Sequence, residues 1–169
     1  MIRLVTVLLA ITSLSAQARV GETLKECETR YGPVVEHLKP TLESSDKDAY
    51  TFSKNSVTVL AEFREGKVWR IAYNKVGMHL SEVETLLAAN ATNGPWSTAL
   101  KVSGQEIRTS ADHQRIAVFT PGKRPEATFT LVIATRDYAA ANRTVYESKL
   151  ATIPALLQRR GDGRPLKDF

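Results

Sequence analysis

One cysteine, Cys27, occurs in the whole 169-residue chain, so no internal disulfide can form and an oxidising compartment adds nothing covalent to the fold. Aromatic residues are sparse at 7%, and basic clusters interleaved with aromatics, the footprint of nucleic-acid binding, are missing. The three histidines, His37, His79 and His113, match no short metal-ligand spacing, and no cofactor motif occurs. No apolar run reaches the roughly 20 residues that span a bilayer. These shortages remove a disulfide scaffold, a spacing-defined metal centre and a nucleic-acid partner, and they leave no transmembrane segment in the mature chain.

The longest apolar run, Leu4 to Leu14, sits behind Arg3 and ahead of Ser15-Ala16-Gln17-Ala18. A positive start, a short apolar stretch and an A-x-A pair form an export leader, residues 1–18, with cleavage after Ala18. No cysteine follows that point to carry a lipid. Removing 18 of 169 residues leaves 151, one domain by length, with a formal charge of +4 rather than +5 once Arg3 is lost. The surplus is spread along the chain, a mildly basic surface that also suits an anionic envelope polymer. The expected destination is the periplasm or the medium.

Residues 19–160 read as one pattern used twice, over about 20–76 and 77–136, with C-terminal helices after it and a mobile polar tail at 161–169. The first unit opens with Thr23-Leu24-Lys25-Glu26, capping-box spacing, and Leu24, Cys27 and Tyr31 then form one helical stripe stopped by Gly32-Pro33. Three alternating strands follow, Ala49 to Ser53, Ser56 to Phe63 and Lys67 to Asn74. A three-residue loop at Arg64-Glu65-Gly66 would place Trp69, Ile71 and Tyr73 on one face with Ala61, Val59 and Val57. A two-residue turn at Glu65-Gly66 would mix the faces.

The second unit repeats the order. Ser81-Glu82-Val83-Glu84 is a further box, 58 residues after Thr23, with a stop at Asn93-Gly94-Pro95. Strands are expected at Gln105 to Thr109, Arg115 to Thr120 and Ala127 to Thr135. Asp137 would cap a helix from Tyr138 to about Ser148, and Pro154 would open another to Arg160. The fold class is therefore α+β: two units of a helix plus a three-strand antiparallel meander, sharing one sheet covered by helices, with C-terminal helical segments.

At "VTVLAEFREGKVWRIAYNK" the chain resembles small exported bacterial domains of the beta-lactamase-inhibitor-like superfamily, which includes the outer-membrane assembly lipoproteins of the SmpA/OmlA type. The shared features are a helix opening at "GETLKEC", a strand ending in "EFREGK" and a return strand holding "WRIAY". Uncharacterised secreted proteins with "RYGPVV" and "GPW" stretches are similar too. The resemblance implies a helix-covered antiparallel sheet and protein binding, and it supplies no catalytic residue. The chain lacks the lipoproteins' N-terminal cysteine and the inhibitor's disulfides.

Cys27 lies in the middle of a core-facing stripe, where free cysteine behaves as a small hydrophobe rather than a nucleophile. Carboxylates in close pairs, such as Glu26 and Glu28 or Glu82 and Glu84, sit at helix starts, where they meet the helix dipole. Asp112-His113 falls in a hairpin turn. The candidate binding residues are Leu60, Glu62, Val68 and Arg70, on the sheet face away from the aromatic row. Arg64 and Lys67 join them at the hairpin, together with Trp96, which reads equally as core or as exposed anchor. The leading expectation is a non-enzymatic protein-binding or scaffold module of the cell envelope with an unknown protein partner. An electrostatic binder of anionic polymers and a small hydrolase with scattered polar residues are the other readings.

Overall fold

A computed structural model describes residues 19–39, 48–124 and 126–142. The leader, the connector at 40–47, the end of the expected first C-terminal helix, the helix at Pro154 and the tail lie outside the described residues. Helix α1 (Leu24–Tyr31) precedes β1 (Glu36–Leu38), β2 (Asp48–Lys54), β3 (Val57–Arg64) and β4 (Lys67–Val76). Helix α2 (Leu80–Ala89) then precedes β5 (Leu100–Val102), β6 (Gln105–Thr109), β7 (Arg115–Thr120) and β8 (Thr128–Thr135), and α3 (Arg136–Ala141) follows. The eight strands form one antiparallel sheet in the order β1-β2-β3-β4-β8-β7-β6-β5. Each meander runs inward from a short edge strand, and their last strands meet in the middle, with Ile71 opposite Ile133 and Tyr73 opposite Leu131.

The α+β class read from the sequence is the one that folds, and each meander adds a fourth strand at its outer edge. β1 and β5 have three residues each and little burial, so no alternation announces them. Helix α1 starts with the expected box: the Glu26 amide donates to Thr23 Oγ1 at 3.4 Å and the Thr23 amide to Glu26 Oε2 at 2.7 Å. Helix α2 begins two residues before the expected box. His79 is its N-cap, and its amide donates to Glu82 Oε2 at 2.9 Å. Glu82 is also drawn back by Lys75 of β4, while Glu84 is occupied by Arg108 of β6 at 2.7 Å. At α3 the cap is Thr135, whose hydroxyl accepts the Tyr138 amide at 3.1 Å, rather than Asp137.

The hairpin between β3 and β4 departs from the expected register. Its turn has two residues, Glu65 and Gly66, with φ of 52° and 73°. Positive φ at both positions is the turn whose twist matches its flanking strands. Arg64 pairs with Lys67 and Phe63 with Val68, and the register then slips so that Glu62 faces Arg70. Trp69 is the extra residue of a β-bulge, which restores Ala61 to Ile71 and Val59 to Tyr73. Two expectations are overturned as a result. Val68 turns inward to the core at 1% exposure, and Trp69 leaves the row of Ile71 and Tyr73 for the opposite face.

The main core lies between α1, α2 and one sheet face. Cys27, Tyr31, Val83 and Leu87 from the helices pack on Phe52, Val59, Ile71, Tyr73, Leu131 and Ile133 from the strands. Truncating any of these large aliphatic residues to alanine costs about 2–5 kcal/mol. This layer holds the sheet rigid from behind and leaves its other face for α3.

Candidate binding face

Residues directly opposite in an antiparallel ladder project to the same side, so the register defines the second face row by row. Its central row runs across seven strands: Thr51, Leu60, Ala72, Val132, Val118, Ile107 and Leu100. Beyond Thr51 it is apolar throughout. Ala72 and Ile107 are buried, Leu60, Val118 and Val132 are half-buried, and Leu100 is exposed. On one flank lies a neutral polar row of Thr58, Asn74, Thr130 and Thr120. Thr130 Oγ1 donates to Asn74 Oδ1 at 2.8 Å, and Gln105 Nε2 donates to Thr120 Oγ1 at 2.7 Å.

The other flank carries charge and aromatics. Glu62 and Arg70 stand opposite each other with Oε1 and Nη1 2.5 Å apart, and both side chains are largely buried. Tyr138 of α3 meets Trp69 edge-to-face, with centroids 4.9 Å apart and planes at 83°, and Ala134 completes this small cluster. The Arg64 guanidinium lies 5.2 Å from the Trp69 ring and that of Arg70 5.7 Å from Tyr138. Cations over aromatic faces are attracted by the ring quadrupole, so the cluster is held by packing and by charge together. Lys67 is exposed at the turn beside Arg64. The corner is a charged, aromatic flank beside the β3, β4 and β8 part of the apolar row.

The sequence-derived candidates divide on this map. Leu60, Glu62, Arg64 and Arg70 share the face, with Lys67 at its hairpin. Val68 does not, because the bulge turns it inward. Trp96 does not either: it packs against the main core half-buried, and its Nε1–H donates to the Leu87 carbonyl at 2.6 Å, closing the end of α2. Val132, Val118, Ile107 and Tyr138 were missed as candidates. The alternation of their strands was visible, but their alignment into one row required the strand order.

Catalytic arrangements fare differently. Cys27 has no exposure, and burial pushes its thiol up to about 12. His37 bonds Asp48 Oδ1 at 3.1 Å and stacks on Tyr50 at 4.3 Å, on the exposed sheet edge rather than in a cleft. His79 and His113 are exposed, the latter in its expected turn. A cleft of about 340 Å³ opens on the helix side, among Tyr31, Lys54, Val57, Tyr73, Glu82 and Leu86. Five of its polar side chains, those of Tyr31, Lys54, Tyr73, Glu82 and Thr85, are engaged in structure. The Tyr31 hydroxyl donates to Tyr73 Oη at 3.4 Å, and Asn90 Nδ2 donates to the same oxygen at 3.2 Å. Lys54 Nζ donates to the Arg30 carbonyl at 2.5 Å, and Glu82 pairs with Lys75. Burial is the largest cause that pushes the Tyr73 phenol up to about 12. Among the described residues no group of three or more His, Cys, Asp or Glu could hold a metal ion. Nor, among them, is any helix long and apolar enough to cross a membrane.

No protein-family model matches the chain, and no curated protein matches it. Among solved structures it is similar to a cysteine-rich secretory protein from Staphylococcus aureus subsp. aureus Mu50, with 13% identity and a TM-score of 0.43, over 72% of this chain and 46% of that one. It is also similar to an extracellular protein containing an SCP domain from Bacillus anthracis strain Ames, with 9% identity and a TM-score of 0.44, over 73% of this chain and 46% of that one. The chain thus spans less than half the length of either, and at this level of likeness neither defines its family.

Proposed function

We propose that the protein is an exported, non-enzymatic binding module that grips a protein partner with the α3-bearing face of its sheet. The observation that carries this reading is the aligned apolar row from Leu60 to Leu100, backed by the main core and flanked at β4 by the Arg64, Trp69, Arg70 and Tyr138 corner. Aromatic and arginine side chains dominate binding hot spots, and an apolar stripe with a polar rim is the usual anatomy of an interface. The partner presents apolar side chains along the row and a carboxylate toward the basic corner. The export leader cleaved after Ala18 supports delivery to the periplasm or the medium. The doubled order of helix and meander supports an origin by duplication, and with it the resemblance to beta-lactamase-inhibitor-like domains.

Crosslinking in an envelope extract tests the surface. Leu60→Asp and Val118→Asp should each remove the partner captured by the parent chain, while Glu28→Gln, exposed on α1 on the other side of the sheet, should keep it. A folded Leu60→Asp protein with an unchanged partner set overturns the assignment.

The formal charge of +4 left once Arg3 is lost with the leader, and exposed Arg64 and Lys67 at the hairpin, favour a second reading, attachment to an anionic envelope polymer. That reading predicts steep loss of binding as salt is raised, whereas capture through the apolar row is largely salt-tolerant.

A further inference from the structure

We infer that removal of the leader creates an ion-pair site, in which the new α-ammonium of Arg19 is received by a carboxylate, Glu22, that Arg30 already holds in place. The inference rests on the export reading above and adds to it a molecular role for the cut end. The Arg19 backbone nitrogen donates to Glu22 Oε2 at 3.1 Å. Glu22 is itself gripped by Arg30, Nε at 3.2 Å from Oε2 and Nη2 at 2.5 Å from Oε1. With side-chain exposures of 12% and 21%, Glu22 and Arg30 are shielded from most of the solvent.

The residues just after this nitrogen are clamped. Val20 is 3% exposed, its amide donates to Asn90 Oδ1 at 3.2 Å, and its carbonyl accepts from Arg115 Nη2 at 3.1 Å. Arg115 also reaches the Asn90 carbonyl at 2.8 Å. The Gly21 amide donates to the Val68 carbonyl at 2.7 Å, and the Val68 amide returns a bond to the Glu22 carbonyl at 2.8 Å. Val20, the second residue after the expected cut, is therefore fixed in place. A cut beyond Val20 would discard a buried anchor, and a cut upstream of the bond joining Ala18 to Arg19 would leave a neutral amide facing Glu22.

The chemistry is peptide hydrolysis by a peptidase of the small-x-small class. Water adds its oxygen to the Ala18 carbonyl carbon, the bond to the Arg19 nitrogen breaks, and Ala18 leaves as a carboxylate. The freed nitrogen takes up protons and becomes an ammonium on the same atom that already faces Glu22. A hydrogen bond whose acceptor alone carries charge is thereby converted into one in which donor and acceptor are both charged. Capture of a terminal amine is a known recognition mode, and here the acceptor is a side-chain carboxylate of the same chain.

Two forms test it: a chain beginning at Arg19, and one keeping Gln17-Ala18 ahead of it, which differ at Arg19 only in amine against amide. The Arg19 form should melt about 1–3 °C higher, and the gap should vanish in a Glu22→Gln background. If Glu22→Gln does not fold, acylation of the α-amine decides instead. In the parent it should run about 3- to 10-fold slower at neutral pH than in the Gln17 form, because a paired ammonium gives up its proton less readily. Equal melting of the two forms, or equal acylation rates, overturns the site. Sequencing the exported protein from the N-terminus should give Arg-Val-Gly-Glu, and a mature end at another residue overturns the assignment. Retention of the leader in the native host would instead count against export and leave the melting comparison to judge the ion pair.

Discussion

Glu62 and Arg70 face each other across β3 and β4 at the first pairing beyond the bulge, where their side chains come within 2.5 Å. The pair marks the point at which the strands recover a common parity. Both ends are sheltered, with side-chain exposures of 15% and 18%, so removing one partner leaves the other poorly solvated. Glu62→Gln should lower stability by about 1–2 kcal/mol, and adding Arg70→Met should cost less than the sum of the two single changes. Denaturant midpoints of the four proteins measure that coupling, and strict additivity would mean the pair acts through water.

Trp69 is the bulge residue and α3 is its lid. Trp69→Ala should cost about 3 kcal/mol through the cavity left beside Tyr138 and Ala134. Amide exchange in α3 should rise far more than in β8. Deleting residue 69 altogether is the sharper variant. It should preserve Phe63 opposite Val68 and Glu62 opposite Arg70, so the helix-side core survives while α3 comes loose.

Stability should decline in alkali. Burial holds the Cys27 thiol up at about 12 against an ordinary 9.0, and the Tyr73 phenol at about 12 against 10.0. The folded state therefore keeps protons that the unfolded chain gives up. Their contribution is fully present below the ordinary values and is lost as pH rises from about 9 toward about 12. Melting followed over that window should show the fall, with Cys27→Ala removing the part that starts near 9 and Tyr73→Phe the part that starts near 10. Maleimide should label the native thiol slowly at neutral pH.

Trp96 serves the fold rather than the face. Trp96→Phe keeps the packing but removes the donor to the Leu87 carbonyl, an exchange worth about 1 kcal/mol. Unfolding should register that loss while the captured partner set stays the same. A change in partners without loss of stability would place Trp96 in the interface after all.

The long strands were legible because their side chains alternate, and α1 was legible because Thr23, Glu26 and Gly32 spell out its ends. β1 and β5 left no such trace, being three residues long at the sheet margins. The bulge was the costlier omission. Alternation alone makes Trp69, Ile71 and Tyr73 one row, and a single inserted residue silently reverses that parity. The clue available was Glu65-Gly66, a dipeptide suited to a tight two-residue turn, read together with Phe63 and Val68 as an apolar pair. The make-up of the candidate face was half readable. Leu60 and Arg70 were placed correctly by parity, but Ile107, Val118 and Val132 join them only through pairings between strands far apart in the chain.

The meeting of β4 with β8 has a consequence for biogenesis. A strand made early, ending at residue 76, finds its second neighbour only when residues 128–135 have been made. A β4 already paired with β3 but lacking β8 would present one row of unpaired hydrogen-bonding groups, a template for another extended chain. A chain stopped between residues 76 and 128 would thus carry an open edge at β4, and β8 is the strand that closes the seam.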